Sequence, residues 1–169
     1  EITGAGNIMR IDGIEDLNVS GLLLGNAKKL IEVNVGKENG QNTHLNQLIL
    51  GENPLLQRVN CKNCVNLGNE DRFKIVDVSG CTSLRYFNAS NTQLGQVIFN
   101  NSGGALEELD LSNTKVTELR LSGQEYLPTI KLDNCRELST LQLSKCNALV
   151  KLTIPNSKLS SFSITDSDK

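Results

Sequence analysis

The chain has 169 residues, 38% of them hydrophobic, and a net charge of −2 with both signs scattered along it. That length and apolar content are enough for one domain with a continuous core, which excludes a disordered chain, and the near-neutral balance without a basic run argues against nucleic acid or an anionic membrane as partner. The longest apolar stretch, around Leu22 to Leu24, is far too short to cross a bilayer, so no membrane insertion is expected.

At the N-terminus, Gly4-Ala5-Gly6-Asn7-Ile8-Met9 opens like a dinucleotide fingerprint. It lacks the third glycine and a preceding strand, and it is expected to be a terminal loop. Beyond it, a signature of two apolar residues one position apart marks candidate strands at Leu17, Val33, Leu48, Val59, Val76, Phe87, Val97, Leu109, Leu119, Ile130, Leu141, Leu152 and Phe162. Spacing is irregular through residues 1–75, where Gly36 to His44 and Cys64 to Arg72 read as polar, turn-rich surface insertions. Short helices are considered only around Asn26 to Leu30 and Pro54 to Gln57. From residue 76 to 165 the chain repeats L-x-x-L-x-L-x-x-[C/T/S/N] with a period of about eleven residues.

An eleven-residue unit holds one short strand and a turn, with no room for a two-turn helix. Two units would make one coil of about 21–22 residues, so the expected fold is a mostly β, right-handed solenoid with two short parallel strands per coil and few helices. About six coils stacked at roughly 4.8 Å would give a block about 30 Å long. Residues 1–169 are read as a single solenoid domain. The lack of an obvious cap at either end suggests a piece of a longer chain, since an open coil offers unpaired strand edges. The many asparagines, among them Asn60, Asn63, Asn66, Asn88 and Asn91, fit turns that demand left-handed backbone.

Little in the chain points to chemistry. Of Cys61, Cys64, Cys81, Cys135 and Cys146, four fall on the interior position just after a strand, and the five are expected to be buried free thiols that pack as small hydrophobes. Cys61-x-x-Cys64 has the spacing of half a zinc site, but no second pair or nearby histidine completes it. His44, the single histidine, lies in a polar insertion without a partner for general-base work. The acidic pairs Glu15-Asp16 and Glu107-Glu108 would point to opposite sides of an extended chain. Asp77-Val78-Ser79 and Asp110-Leu111-Ser112 are read as solvent-facing repeat surface rather than nucleophilic sites. Asn18-Val19-Ser20, Asn88-Ala89-Ser90 and Asn100-Asn101-Ser102 would accept glycans only in a eukaryotic secretory pathway. No catalytic, metal or cofactor-binding residues are assigned, and no enzymatic activity is expected.

The stretches VDVSGCTSLRYFNASNTQL, ELDLSNTKVTELRLSG and IKLDNCRELSTLQLSKCNAL resemble the leucine-rich repeats of surface proteins of gut bacteria. They are also similar to divergent repeats in some phage tail and host-recognition proteins. The resemblance covers roughly Leu48 to Ile164, and the chain departs from it before Val76 and at Pro155. It implies a non-enzymatic recognition, adhesion or structural module of a bacterial cell surface or virion, with an intracellular adaptor in the cytoplasm as the alternative. The implied partner is a protein or bacterial cell-surface component, or other structural subunits in an assembly. Repetition would place outward residues in two columns. One runs Asp77, Ile98, Arg120, Gln142 and Ser163; the other runs Asn88, Asp110, Lys131 and Thr153, flanked by Tyr86, Glu108 and Lys151. Tyr86, Asn88, Asp110, Lys131, Asp77, Ile98, Arg120 and Gln142 are the candidate partner-binding residues, with Tyr86 and Arg120 the better anchor types. Sugar stacking is disfavoured by the absence of Trp.

Overall fold

One short unit generates the whole architecture: a strand whose middle side chain is buried between two outward, mostly polar neighbours, then a turn that reverses the chain. The computed structural model describes residues 2–3, 7–14, 16–25 and 27–165. In chain order the strands are β1 (Ile2–Thr3), β2 (Arg10–Ile11), β3 (Gly21–Leu23), β4 (Glu32–Asn34) and β5 (Gln47–Ile49). They continue as β6 (Arg58–Asn60), β7 (Ile75–Asp77), β8 (Tyr86–Asn88), β9 (Gln96–Ile98) and β10 (Glu108–Asp110). The last are β11 (Glu118–Ser122), β12 (Thr129–Lys131), β13 (Thr140–Ser144), β14 (Lys151–Thr153) and β15 (Ser161–Thr165). The described residues contain no α-helix, and the single helical element is a 3-10 turn at Asp71–Phe73. The helices considered at Pro54 to Gln57 and at 27–30 are turns instead, and Asn26 lies outside the described residues.

All pairing is parallel, and the even-numbered strands form one seven-stranded sheet in the order β14-β12-β10-β8-β6-β4-β2. The fold is thus a mostly β parallel solenoid of seven turns rather than about six. The six steps between neighbouring strands span about 29 Å. Side-chain bonds from one coil to the next give the coil lengths directly: 22 residues from Asp12 to Asn34, 26 from Asn34 to Asn60, 28 from Asn63 to Asn91, 21 from Asn113 to Asn134 and 22 from Asn134 to Asn156. The irregular first half therefore keeps the ladder and lengthens the coil. Every candidate strand from Val33 to Phe162 lies within an observed strand. Leu17 does not: it sits exposed in a turn, and the strand there is β3, centred on buried Leu22. The fragments β1 and β2 were too short to read in the sequence.

The odd-numbered strands line the opposite face in three separate sheets, β1-β3-β5, β7-β9 and β11-β13-β15. The first break follows from the 28-residue coil. At the entry to β5, Asn46 and Gln47 donate to Ser20 O, but the corresponding Asn46 O accepts the N–H of Gly68 at 3.2 Å. The entry to β7 is thereby displaced from the ladder. At the second break Thr117 still donates to Gly95 O, whereas Ser122 N finds the Asn101 side-chain oxygen at 3.2 Å in place of a strand carbonyl.

The core is a column of Leu, Val and Ile layers, with Phe87 and Phe99 edge to face at 5.6 Å between ring centroids. The segment from Cys64 to Arg72, expected as a surface insertion, contributes Cys64 and Leu67 to this core, both fully buried. The corners after the seven-stranded face use asparagine. Asn63, Asn91, Asn113, Asn134 and Asn156 all have φ between 57 and 63. Their amides bond between coils, from Asn91 to Asn63, Asn134 to Asn113 and Asn156 to Asn134, at 2.7 to 2.9 Å. Asparagine tolerates the left-handed region, and its side chain ties coil to coil there. Pro155 fits at this corner because its carbonyl still accepts the Asn134 N–H at 3.1 Å, and the lost N–H is not a ladder donor.

Candidate functional site

The continuous seven-stranded face carries two outward columns in fixed register. One runs Arg10, Glu32, Arg58, Tyr86 and Glu108, then Thr129 and Lys151; the other runs Asn34, Asn60, Asn88, Asp110, Lys131 and Thr153. Tyr86, Asn88, Asp110 and Lys131 are therefore brought together as the spacing predicts. Asp77 and Ile98 pair on β7-β9, and Arg120 and Gln142 pair on β11-β13, but the ladder between Ile98 and Arg120 is interrupted. The opposite column does not run unbroken, so the eight candidates fall on two faces and three sheets.

Arg58 and Tyr86 form the best-defined feature of the seven-stranded face. The Arg58 guanidinium lies 4.0 Å from the Tyr86 ring centroid. The Tyr86 hydroxyl donates to Glu107 Oε2 at 2.7 Å, and Arg85 bonds the other oxygen of that carboxylate at 3.1 Å. The Glu107 carboxylate holds the Tyr86 phenol above its ordinary value. Glu107 precedes β10 and is half-buried, so the extended-chain reading of Glu107-Glu108 does not apply to it directly. On the other side Glu32 links Arg58, at 4.0 Å, to Arg10, at 2.5 Å. Asn60 donates to Asn34, and Asn34 to Asp12, each at 2.9 Å. A shallow polar groove results, lined by Glu32, Asn34, Arg58, Asn60, Tyr86 and Asn88. Sequence reasoning missed Arg58 and Glu32 because the long coils hid their register, although Arg58-Val59-Asn60 has the same pattern as Tyr86-Phe87-Asn88.

The remaining motifs are structural. Asp77, Asn88 and Asp110 each accept the N–H two residues on, from Ser79, Ser90 and Ser112, at 2.8 to 3.0 Å. These are turn-forming side chains. Ser112, expected on the solvent face, is buried at this turn. His44 is exposed, and its backbone N–H donates to the Asn42 side chain. Gly4 to Gly6 and Glu15 lie outside the described residues. No group of three or more potential metal ligands occurs among the described residues, and no described helix is long and apolar enough to cross a membrane.

All five cysteines are buried. Cys64, Cys81 and Cys135 share a corner position with Thr92 and Thr114. Thr92 Oγ1 donates to Ala89 O at 2.9 Å and Thr114 Oγ1 to Leu111 O at 2.7 Å, while Cys64 Sγ donates to Val35 O and Cys135 Sγ to Leu111 O. Thiol and hydroxyl thus serve the same end, covering turn carbonyls inside the coil. Burial pushes Cys64 up to about 12 and Cys81 up to about 11, from 9.0. The unfolded chain releases these protons first, so stability is expected to hold below pH 9 and to fall as pH rises from 9 toward 12. Titration with an aromatic disulfide at pH 8 should find no reactive thiol in the native protein and five after denaturation. Rapid native labelling would contradict the buried assignment. No family model, curated protein or solved structure matches the chain.

Proposed function

We propose that this chain is a non-enzymatic recognition module of the leucine-rich-repeat kind, from a bacterial surface protein or phage virion. It presents its seven-stranded face to a protein or cell-surface partner. The observation that supports this most is the uninterrupted parallel ladder, which holds Arg58 and Tyr86 at the centre of a rigid polar surface. Recognition by a preformed array orders few side chains on binding, and Tyr and Arg are the residue types that most often anchor such contacts.

Labelled protein incubated with a panel of intact bacterial cells tests the reading. Saturable binding to some strains is expected. An Arg58→Ala, Tyr86→Ala double variant should weaken it by roughly tenfold or more, while Arg120→Ala on the other face leaves it unchanged. Loss confined to Arg120→Ala would overturn the choice of face, and absence of binding to every strain would overturn adhesion. One observation favours a second, architectural reading: Ile49, Ile75 and Ile98 are exposed on the interrupted face, as in surfaces buried by assembly.

A further inference from the structure

The chain contains a single Asn-Gly pair, Asn39-Gly40, in the loop between β4 and the point where Asn42 bridges to Cys64. The loop is tethered at both ends. Lys37 donates its N–H to Lys62 O at 3.2 Å and its carbonyl accepts the Asn63 amide at 2.7 Å, while Asn42 donates to Asn63 O at 2.9 Å. Between these anchors, no N–H or C=O of residues 38–41 bonds to another backbone group among the described residues. Asn39 and Gly40 are exposed, and no hydrogen bond holds the Asn39 amide among the described residues. Gly40 has a φ of +90, and nothing lies within 4 Å of its Cβ position. The tip can therefore turn without disturbing a packed neighbour.

Comparable pairs elsewhere are held. Asn156 and Asn101 are each followed by serine, but Asn156 donates to Asn134 at 2.7 Å and Asn101 accepts the Ser122 N–H at 3.2 Å. In Asp12-Gly13 the carboxylate accepts both the Gly13 N–H, at 3.0 Å, and the Asn34 amide, at 2.9 Å.

We propose that Asn39 is a site of spontaneous covalent modification, with the Gly40 nitrogen as nucleophile and water as the co-reactant. The deprotonated Gly40 nitrogen bonds to Asn39 Cγ, the Cγ–Nδ2 bond breaks, and ammonia leaves with the proton that Gly40 lost. A cyclic imide remains. Water then opens it at Cγ to give aspartate, or at the main-chain carbonyl of Asn39 to give isoaspartate, in which the chain runs through the side chain. Nothing is oxidised or reduced. Glycine makes the step accessible, because without a Cβ its nitrogen is unshielded and its backbone is free to rotate. Either product adds one negative charge to a chain whose net charge is −2. The charge enters next to Glu38, which with its ion-pair partner Lys62 lines the polar groove. The chemistry does not depend on what that groove binds.

Incubating the folded 169-residue protein in mildly alkaline buffer and mapping its peptides by mass tests this, with isoaspartyl methyltransferase labelling to mark the isoaspartate. Asn39 should convert roughly tenfold or more faster than Asn101 or Asn156, and nearly as fast as in the urea-denatured chain, with ammonia released in step. Gly40→Ala should slow the conversion by roughly tenfold. Asn39→Gln, which leaves the backbone as it is, should abolish the early ammonia release. An intact Asn39 in the folded protein, under conditions where the denatured chain converts, would overturn the proposal. So would earlier conversion at any other asparagine, or ammonia release undiminished in Asn39→Gln.

Discussion

Replacing Phe87 with alanine is expected to lower the free energy of unfolding by roughly 3–5 kcal/mol, the largest effect of any single core substitution in this chain. Phe87 is fully buried at the middle of β8, paired with Val59 on one side and Leu109 on the other, so no coil end can collapse into the space it leaves. Its edge-to-face contact with Phe99, at 5.6 Å, is lost as well. A domain of this size has only about 5–15 kcal/mol to lose, so the change removes a large fraction of the total. Phe87→Leu keeps most of the volume and should cost less than about 2 kcal/mol. Urea titration read by circular dichroism would measure both. A loss below about 1 kcal/mol for Phe87→Ala would mean that the layers are not packed as described.

The second large effect is expected at Gly68. Its φ of +84 is one that L side chains rarely adopt, and a Cβ there would meet Gln93 C and Leu94 N and Cα at 2.9 Å. These are backbone atoms of the next coil and cannot rotate aside. Gly68 also supplies the N–H that occupies Asn46 O and sets the first break in the odd-numbered face. Gly68→Ala is therefore expected to cost roughly 2–5 kcal/mol, combining backbone strain with a clash. Gly40 is the internal control: its φ is +90, but nothing lies within 4 Å of its Cβ position. Gly40→Ala should carry the strain alone, about 1–2 kcal/mol. Equal losses at the two positions would show that the coils do not approach as closely as described.

Much of this architecture was legible in the sequence, for a specific reason. Where the coil is 21 or 22 residues, as from Asn113 to Asn156, the same apolar spacing recurs each time and a strand centre can be read off by counting. Counting fails where residues are inserted into corners. The coils of 26 and 28 residues concealed that Glu32, Arg58 and Tyr86 stand in one column, and hence hid half of the candidate site. Leu17 was misread because Leu17-Asn18-Val19, though it lies in a turn, has the same apolar spacing as a strand. The breaks in the odd-numbered face had no sequence signal, because they depend on which N–H reaches the Asn46 carbonyl at the first and on the Asn101 side chain taking the Ser122 N–H at the second. Conversely, the cysteines were correctly placed inside, since a small weakly polar side chain repeated at a corner suits the same position as threonine.

Native-state amide hydrogen exchange, resolved by residue, tests the central claim most directly: one face is continuous and the other interrupted. The N–H groups of Cys61, Ala89 and Leu111, which donate to Asn88, Asp110 and Lys131 carbonyls at 2.8 to 3.0 Å, should be among the slowest to exchange. Amides at the β5 to β7 boundary and in β15 should exchange well before them. Protection equal across both faces, or fast exchange through β6, β8 and β10, would contradict the account.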